Sequence, residues 1–538
     1  MAEPTQDESS TIHSDQVQVI EKPKAFDPQD VGISLTKPQL ILTFIGIAIC
    51  LFLAALDTTI VSTAIPRISS DFHALEQGSW IATAYMLSFD ALQPLHGKLS
   101  DIFGRRNVLL ASVAIFLLGS VLCAVSKNMI MLIIMRALQG AGGSGCFCIV
   151  MIVIADVVPL RERGKYQAIA NAVFAMASVL GPLLGSIPFG VVGAILIAFA
   201  LKEEKKNIPV MTQLKRIDYP GTIVILIMAT LILLGLNMGG VTHPWNSAPV
   251  LASLIVGVLF IGVFVLVEHK FAKEPIVPLR LFRKRTVVFV CIMQFFFGLA
   301  FNSVVIELPL FLQAARGDSA MMSGVRLIVS QAAISSIATL MGWVMSHYNT
   351  YKPILMCGLA LVSTGVGLLA LLTDSTPDGM LYGFLVVFGA GSGMVFACAN
   401  VAIQSACDSS DLASVTALGM FIQNLGSAIG IAVCSTVVNN SLSSCLHSIL
   451  PLDLATEVTE STTFIRSGTL TPTQQSDTIH CYVSSFKTAW CVVAALAAVG
   501  FLATIFIKQY SLIKPSGTRK HELKETVLEE PQQHEKNN

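Results

Sequence analysis

The stretch Gly97-Lys98-Leu99-Ser100-Asp101-Ile102-Phe103-Gly104-Arg105-Arg106 lies between two long apolar runs and holds one acid, three bases and two glycines. So short a segment can join neighbouring helices only as a tight hairpin, with its bases on the cytoplasmic side of a membrane. Glycine at both ends permits close helix approach and a turn. The stretch therefore predicts a cytoplasmic hairpin between two membrane spans.

The composition is that of a polytopic membrane protein. Of the 538 residues, 54% are hydrophobic and 13% are charged, whereas soluble proteins carry about 25% charged residues. The mean hydropathy is +0.71, and the apolar runs reach the roughly 20 residues that a bilayer requires. Thirty-four bases balance thirty-four acids, so the net charge gives no indication of a nucleic-acid partner. The chain contains no nucleophile elbow, metal-ligand cluster or phosphate loop, and we expect neither an enzyme nor a cofactor.

The apolar runs predict fourteen helical spans, of which the fifth and sixth are the least regular: 40–65, 79–97, 107–126, 129–154, 166–187, 188–201, 219–239, 249–268, 287–313, 322–345, 352–372, 380–405, 412–438 and 488–508. Lys and Arg are concentrated in alternate loops and in the C-terminal tail. Because basic loops stay in the cytoplasm, this alternation places both termini there.

The spans and tails divide the chain into five regions: a disordered cytoplasmic tail (1–38), an N-terminal bundle (39–201), a linker with two extra central spans (202–270), a C-terminal bundle (271–510) and a second cytoplasmic tail (511–538). The C-terminal bundle includes the longest external loop, 439–487. We expect a monomer in the plasma membrane, although a vacuolar or vesicle membrane stays open.

Four charged residues lie inside apolar runs: Asp57, Asp90, Arg136 and Glu307. An ionisable group at that depth costs roughly 3 kcal/mol or more, so it normally faces a cavity or a partner. Arg136 cannot lose its proton and needs a carboxylate or a polar cavity. It could lower the pKa of a neighbouring acid and so control when that acid releases its proton. These residues therefore predict a site for proton coupling or substrate, and structural hydrogen bonds are the alternative.

Two further groups of residues suggest moving parts. The predicted hairpin, with Gly97, Asp101, Gly104, Arg105 and Arg106, could form a cytoplasmic gate if Asp156 pairs with Arg105 or Arg106; a solvated charge patch is the alternative. In Gly181-Pro182-Leu183-Leu184-Gly185, proline removes a backbone donor and glycine permits bending, which suits a helix hinge.

The predicted external loop contains the sequon Asn439-Asn440-Ser441 and two cysteines, Cys445 and Cys481. Asn439 is a candidate glycosylation site, and the two cysteines are candidates for a disulfide. An ordinary polar loop without either modification is the alternative.

The motifs together resemble the major facilitator superfamily, and specifically the fourteen-span drug:proton antiporters of fungi. The stretch 97–106 resembles that superfamily's cytoplasmic loop motif, 136–143 its fourth-span motif, 56–61 the first-span motif of the fourteen-span group, and 181–185 its antiporter motif. The resemblance implies two six-helix bundles with two inserted helices, alternating access, and export of hydrophobic or amphipathic small molecules driven by proton influx. The exported compounds would include drugs, fungal secondary metabolites or toxins. A siderophore transporter of the same fold is a second interpretation.

The pattern breaks after Gly185, which runs directly into Ser186-Ile187-Pro188-Phe189-Gly190. About twenty residues of the resembled family's sequence are missing there. Residues 166–201 would span about 54 Å as helix, whereas two crossings of a roughly 30 Å core need about 60 Å. Because the basic clusters at 161–165 and 202–216 both favour the cytoplasm, we expect a cramped hairpin with one short helix. One long tilted span, which would invert everything after it, is the alternative. A non-transporting sensor, or an inactive product of the deletion, is therefore a third interpretation.

Overall fold

A computed structural model describes residues 37–72, 78–180, 212, 217–239, 243–271, 275–451, 454–455, 458, 465 and 469–512. Within these residues the chain is helical, and its thirteen long helices are α1 (Lys37–Asp71), α2 (Gly78–Phe103), α3 (Arg105–Ala124), α4 (Met129–Val157), α5 (Arg163–Leu180), α6 (Tyr219–Met238), α7 (Ala248–Lys270), α8 (Arg285–Phe311), α9 (Ala320–Tyr348), α10 (Lys352–Leu369), α11 (Asp378–Ser405), α12 (Leu412–Ile449) and α13 (Pro472–Ile505).

The helices pack as two bundles with a peripheral pair. Helices α1 to α5 contact one another in the first bundle, and α8 to α13 form the second. The bundles meet where α2 packs on α12 and where α5 packs on α9 and α11. Helix α6 lies beside α2 and α12, and α7 packs mainly on α6. This arrangement confirms the predicted all-helical fold of two bundles with two inserted helices.

Ten of the described helices are long and apolar enough to cross a membrane: α3, α4 and α6 to α13. Within their described residues the other three helices, α1, α2 and α5, are not among these ten, although α1 contains a shorter apolar segment, Ile41–Asp57. Burial differs between the helices: 83% of the apolar segment of α4 lies inside the protein, but only 22% of the apolar segment of α7 does. Helix α4 is therefore central, and α7 presents apolar side chains to lipid.

The predicted hairpin at 97–106 is almost entirely helical, which corrects the expectation of a ten-residue loop. Helix α2 continues to Phe103 and α3 begins at Arg105, so Gly104 alone separates them. Its backbone has φ 90° and ψ 154°, a region that is essentially restricted to glycine. One residue can therefore turn the chain, while Gly97 lies inside α2 and has a packing role instead.

The predicted external loop 439–487 is also shorter than expected. Helix α12 continues to Ile449 and α13 begins at Pro472. Thr471 and Gln474 form a capping box at the start of α13, which explains why a polar segment is helical there. The exposed Asn439 accordingly lies on a helix, and its glycosylation stays a prediction.

Cys445 of α12 and Cys481 of α13 form a disulfide in the structure, with their Cα atoms 5.7 Å apart. Beside it, the Tyr482 hydroxyl donates a hydrogen bond of 3.0 Å to the carbonyl oxygen of Val458. Both contacts hold the predicted external ends of α12 and α13 to each other and to the segment between them.

Removal of this disulfide is expected to lower stability. The bond closes a loop with a sequence separation of 36, for which the chain-entropy model predicts about 3–4 kcal/mol. Cys445→Ser should therefore lower the thermal midpoint of the purified protein in detergent, as should reduction of the wild type. Cys357→Ser, at an exposed free cysteine, is the matched control. Equal midpoints for Cys445→Ser and the control would contradict the prediction.

The hinge candidates Gly181, Pro182 and Gly185 lie outside the described residues, as do the predicted sixth span at 188–201 and all but two residues of each predicted tail. The described part of α5 reaches Leu180, and the next long helix among the described residues begins at Tyr219. The cramped hairpin and the effect of the missing segment therefore stay predictions.

Candidate functional site

Asp57 and Arg136 form a buried ion pair between α1 and α4. Arg136 Nη1 lies 2.7 Å from Asp57 Oδ2. The Asp57 side chain is only 8% exposed and that of Arg136 only 4%. Gln139 bonds to both, since it accepts from Arg136 at 2.6 Å and donates to Asp57 at 2.8 Å. It also donates to the Ser120 hydroxyl of α3. A guanidinium, a carboxylate and an amide thus form one network across three helices.

Residues of helix α2 contact the Nε atom and the face of the Arg136 guanidinium. Its Nε donates to the Ile81 carbonyl oxygen at 3.2 Å, and its Cζ atom lies 4.5 Å from the ring centroid of Tyr85. Burial of a guanidinium requires compensation of this kind by hydrogen bonds and cation–π contact. The charge is therefore fully enclosed by protein groups.

Glycines on α4 allow α2 and α3 to come this close. A Cβ atom at Gly140 would collide with the Tyr85 carbonyl oxygen, and one at Gly142 would lie 2.7 Å from the Phe116 Cα atom. Small residues permit such close helix contacts in membranes. The glycine run after Arg136 is therefore the reason why the charged network can form in the packed centre of the bundle.

The other two membrane acids both bond to α12. Asp90 of α2 accepts from the Asn424 side-chain amide at 2.8 Å, across the boundary between the bundles. Glu307 of α8 is buried and accepts from the Ser435 hydroxyl within the second bundle. The structure thus brings Asp57 together with Arg136. Asp90 and Glu307 lie apart from that pair and bond to different residues of α12.

Asp156 pairs with Arg105, which decides between the two predicted partners. Arg105 Nε lies 2.7 Å from Asp156 Oδ2, and its Nη1 lies 2.6 Å from Asp101 Oδ1. The side chains are 17–22% exposed. Arg105 therefore joins the ends of α2, α3 and α4 on the predicted cytoplasmic side.

Gly97 lies where α2 approaches α12 closely. A Cβ atom there would lie 2.7 Å from Ala417 Cβ and 3.1 Å from the Ala413 carbonyl oxygen. Gly342 plays the same part between α9 and α5, because a Cβ atom would lie 2.7 Å from backbone atoms of Gly164. The bundles are thus in close contact at two places on the predicted cytoplasmic side.

Two arginines after α4 reinforce that closure. Arg161 Nε donates to the Ser346 carbonyl oxygen at 2.5 Å. Arg163 Nη1 donates to Gln404 Oε1 at 3.1 Å, and Gln404 in turn donates to Thr416 of α12. These contacts cross from the first bundle to the second, so the described conformation is closed on its predicted cytoplasmic side.

Several of these residues do not stand out in the sequence. Gln139 lies inside the conspicuous stretch 136–143, where its amide attracts less notice than Arg136 and the glycines. Asn424, Ser435 and Gln404 are neutral groups on apolar helices, and such groups are frequent in structural hydrogen bonds. Only the contacts with Asp90, Glu307 and Arg163 show which neutral groups have charged partners.

The fold and these buried charged contacts define a multi-pass helical membrane protein built from two bundles. The chain belongs to the Major Facilitator Superfamily, whose family model matches residues 47–431. It is therefore a transporter of that superfamily and not an enzyme.

Fungal efflux pumps are similar over nearly the whole chain. "Efflux pump dotC" of Dothistroma septosporum is 33% identical over 509 residues, covering 91% of this chain and 86% of the relative. "Efflux pump FUS6" of Gibberella moniliformis is 32% identical, covering 91% and 92%. The "Acurin A biosynthesis cluster MFS-type transporter" of Aspergillus aculeatus is 32% identical, covering 88% and 89%. The chain is thus related to two fungal efflux pumps and to a transporter named for a biosynthesis cluster.

A solved structure supports the fold independently of these sequences. The crystal structure of the human organic anion transporter MFSD10 (TETRAN) superposes with a TM-score of 0.57 at 12% identity. It covers 89% of this chain and all of that chain. At that identity the likeness concerns the fold alone.

Proposed function

We propose that the protein is a proton-coupled exporter of hydrophobic or amphipathic small molecules that works by alternating access in the plasma membrane. The observation that carries the proposal is the buried Asp57–Arg136 pair with Gln139. An ion pair that serves stability alone is seldom worth its desolvation cost, and replacement of buried pairs by apolar residues is often neutral. A membrane-embedded acid held against a permanent cation is instead typical of proton relays.

The pair would couple protonation to helix movement. Arg136 keeps its charge, so a proton that binds the network neutralises Asp57. Loss of the carboxylate charge weakens the ion pair and leaves the guanidinium with Gln139, Ile81 and Tyr85. The attachment of α1 to α4 then loosens. Since α4 also packs on α2 and α3, the change reaches the helices that form the cytoplasmic closure.

The cytoplasmic contacts would provide the moving gate. Arg105 joins α2, α3 and α4 into one rigid end, which Gly97 then brings against α12. Opening toward the cytoplasm requires separation of α2 from α12 and of α5 from α9. We infer that the described conformation follows substrate uptake, when the cytoplasmic side has closed.

The export direction and the substrate class rest on the relatives. The proteins similar over about 90% of the chain include two named as efflux pumps and one named for a fungal biosynthesis cluster. A secondary metabolite or a drug of similar polarity is therefore the substrate that we propose.

The experiment uses the full chain reconstituted in liposomes loaded with Nile red, a neutral hydrophobic dye, or ethidium, a hydrophobic cation. An imposed proton gradient should accelerate movement of at least one dye over protein-free liposomes, and a protonophore should remove the acceleration. Equal rates with and without the protein for both dyes, with incorporation confirmed, would sink the transport proposal.

A further inference from the structure

A short basic segment precedes α8 at the predicted cytoplasmic side. It consists of the 3₁₀ helix Leu279–Arg283, then Lys284, then Arg285 as the first residue of α8. Within the 3₁₀ helix, the Leu281 side chain is buried at 1% exposure, whereas Phe282 is 41% exposed. One side of the segment therefore packs on the protein, and an aromatic ring stays accessible among the bases.

Two of the four bases hold the segment to the second bundle. Arg280 Nη2 lies 2.8 Å from Asp411 Oδ1, and Lys284 Nζ lies 3.2 Å from Asp408 Oδ2. Asp411 directly precedes α12, the helix on which Gly97 packs. The basic segment is therefore fixed beside the closed contact between the bundles.

The other two bases, Arg283 and Arg285, are exposed and form no ion pair with an acid among the described residues. The Cζ atom of Arg285 lies 5.9 Å from the ring centroid of Phe289 and 5.6 Å from that of Phe506. The two rings stack with centroids 4.9 Å apart, and Phe506 is 47% exposed. A guanidinium thus lies over an accessible apolar surface where the ends of α8 and α13 meet.

An anion with an apolar body fits this arrangement. Guanidinium groups bind phosphate oxygens through two parallel hydrogen bonds. Helix α8 begins at Arg285 without a side-chain cap, so its first N–H groups favour negative charge at the same place. At the end of α7, Lys270 and the 73% exposed Phe271 add another base and another ring. Bases and aromatic rings together at the end of membrane spans are typical of contacts with anionic headgroups.

We propose that an anionic phospholipid of the cytoplasmic leaflet binds here, with its phosphate on Arg283 and Arg285 and an acyl chain along Phe289 and Phe506. The proposal depends on neither the substrate nor the direction of transport. Because the ion pairs of the segment hold it to the residues before α12, the bound lipid stabilises the described conformation, which is closed on its predicted cytoplasmic side.

The first test measures the thermal midpoint of the purified full chain in detergent during titration with three compounds. They are phosphatidylserine, phosphatidylcholine with the same acyl chains, and glycerophosphoserine, which is the serine headgroup without chains. Phosphatidylserine should raise the midpoint to a plateau, and the other two should not. An equal rise with phosphatidylcholine would show general solvation by lipid, and an equal rise with glycerophosphoserine would show a site for free anions. Either result, or no rise with phosphatidylserine, would overturn the proposal.

A matched pair of double variants then locates the site. Arg283→Gln/Arg285→Gln should increase the phosphatidylserine concentration at half the maximal rise by roughly fivefold for each arginine. The midpoint without lipid should stay as in wild type, because both residues are exposed. Lys127→Gln/Lys487→Gln removes the same charge from exposed lysines on the predicted external side and should titrate like wild type. Equal weakening in both double variants would attribute binding to net charge alone, and an unchanged titration in the arginine variant would also refute this site.

Discussion

Arg136→Ala should abolish proton-driven export and also destabilise the protein, whereas a double variant that removes both charges should be stable yet inactive. In Arg136→Ala, the Asp57 carboxylate stays buried without its counter-charge, and loss of one partner of a buried pair costs about 3–5 kcal/mol. In Asp57→Asn/Arg136→Gln, neither charge is left to be desolvated. Stability should then return, but the group that we propose to bind and release the proton is gone.

Two measurements separate stability from function here. The thermal midpoint in detergent should fall for Arg136→Ala and return toward wild type in the double variant. Dye efflux should be absent in both. The control is Asp374→Asn, at an exposed acid, which should match wild type in both measurements. Wild-type efflux in the double variant would show that the pair is a structural element only.

Gly97→Val should have the second largest effect, because it prevents the bundles from closing on the cytoplasmic side. Even a methyl group at this position would lie 2.7 Å from Ala417 Cβ, closer than carbon atoms approach without overlap, and valine adds two further carbons. Gly97 lies inside α2, and its φ is not positive, so the backbone there does not require glycine. The helix can therefore still form, so we expect loss of export at near-normal expression.

Cysteine labelling can show the closure directly. Ser414 lies on α12 between Ala413 and Ala417 and is only 6% exposed. In Ser414→Cys, a hydrophilic maleimide applied to the cytoplasmic face should react slowly, and Gly97→Val in the same background should raise the rate several-fold. Gly324→Val, where a Cβ atom would meet nothing within 4 Å, is the matched control. Slow labelling in both variants would show that α2 and α12 close despite the added side chain.

The charged residues in the spans show how far sequence predicts this site. The high cost of isolated charges in apolar runs singles out Asp57, Asp90, Arg136 and Glu307. The sequence does not show that Arg136 belongs with Asp57 rather than with Asp90, because that depends on how α1, α2 and α4 pack. Likewise, the choice of Arg105 as the partner of Asp156 follows from the single-residue turn at Gly104, which directs Arg105 toward both acids.

Hydropathy by itself determines a helical multi-pass protein, because the formation of membrane spans depends on local transfer free energies and on length; the alternation of basic loops predicts its orientation. The tertiary structure alone decides which glycines turn the chain and which bring helices together: Gly104 does the first and Gly97 the second. It also extends α12 and α13 into the polar segment that resembles a loop, since a capping box and a disulfide stabilise the helices there. Such features depend on contacts between residues far apart in the sequence. Local composition does not specify those contacts and therefore does not predict the features.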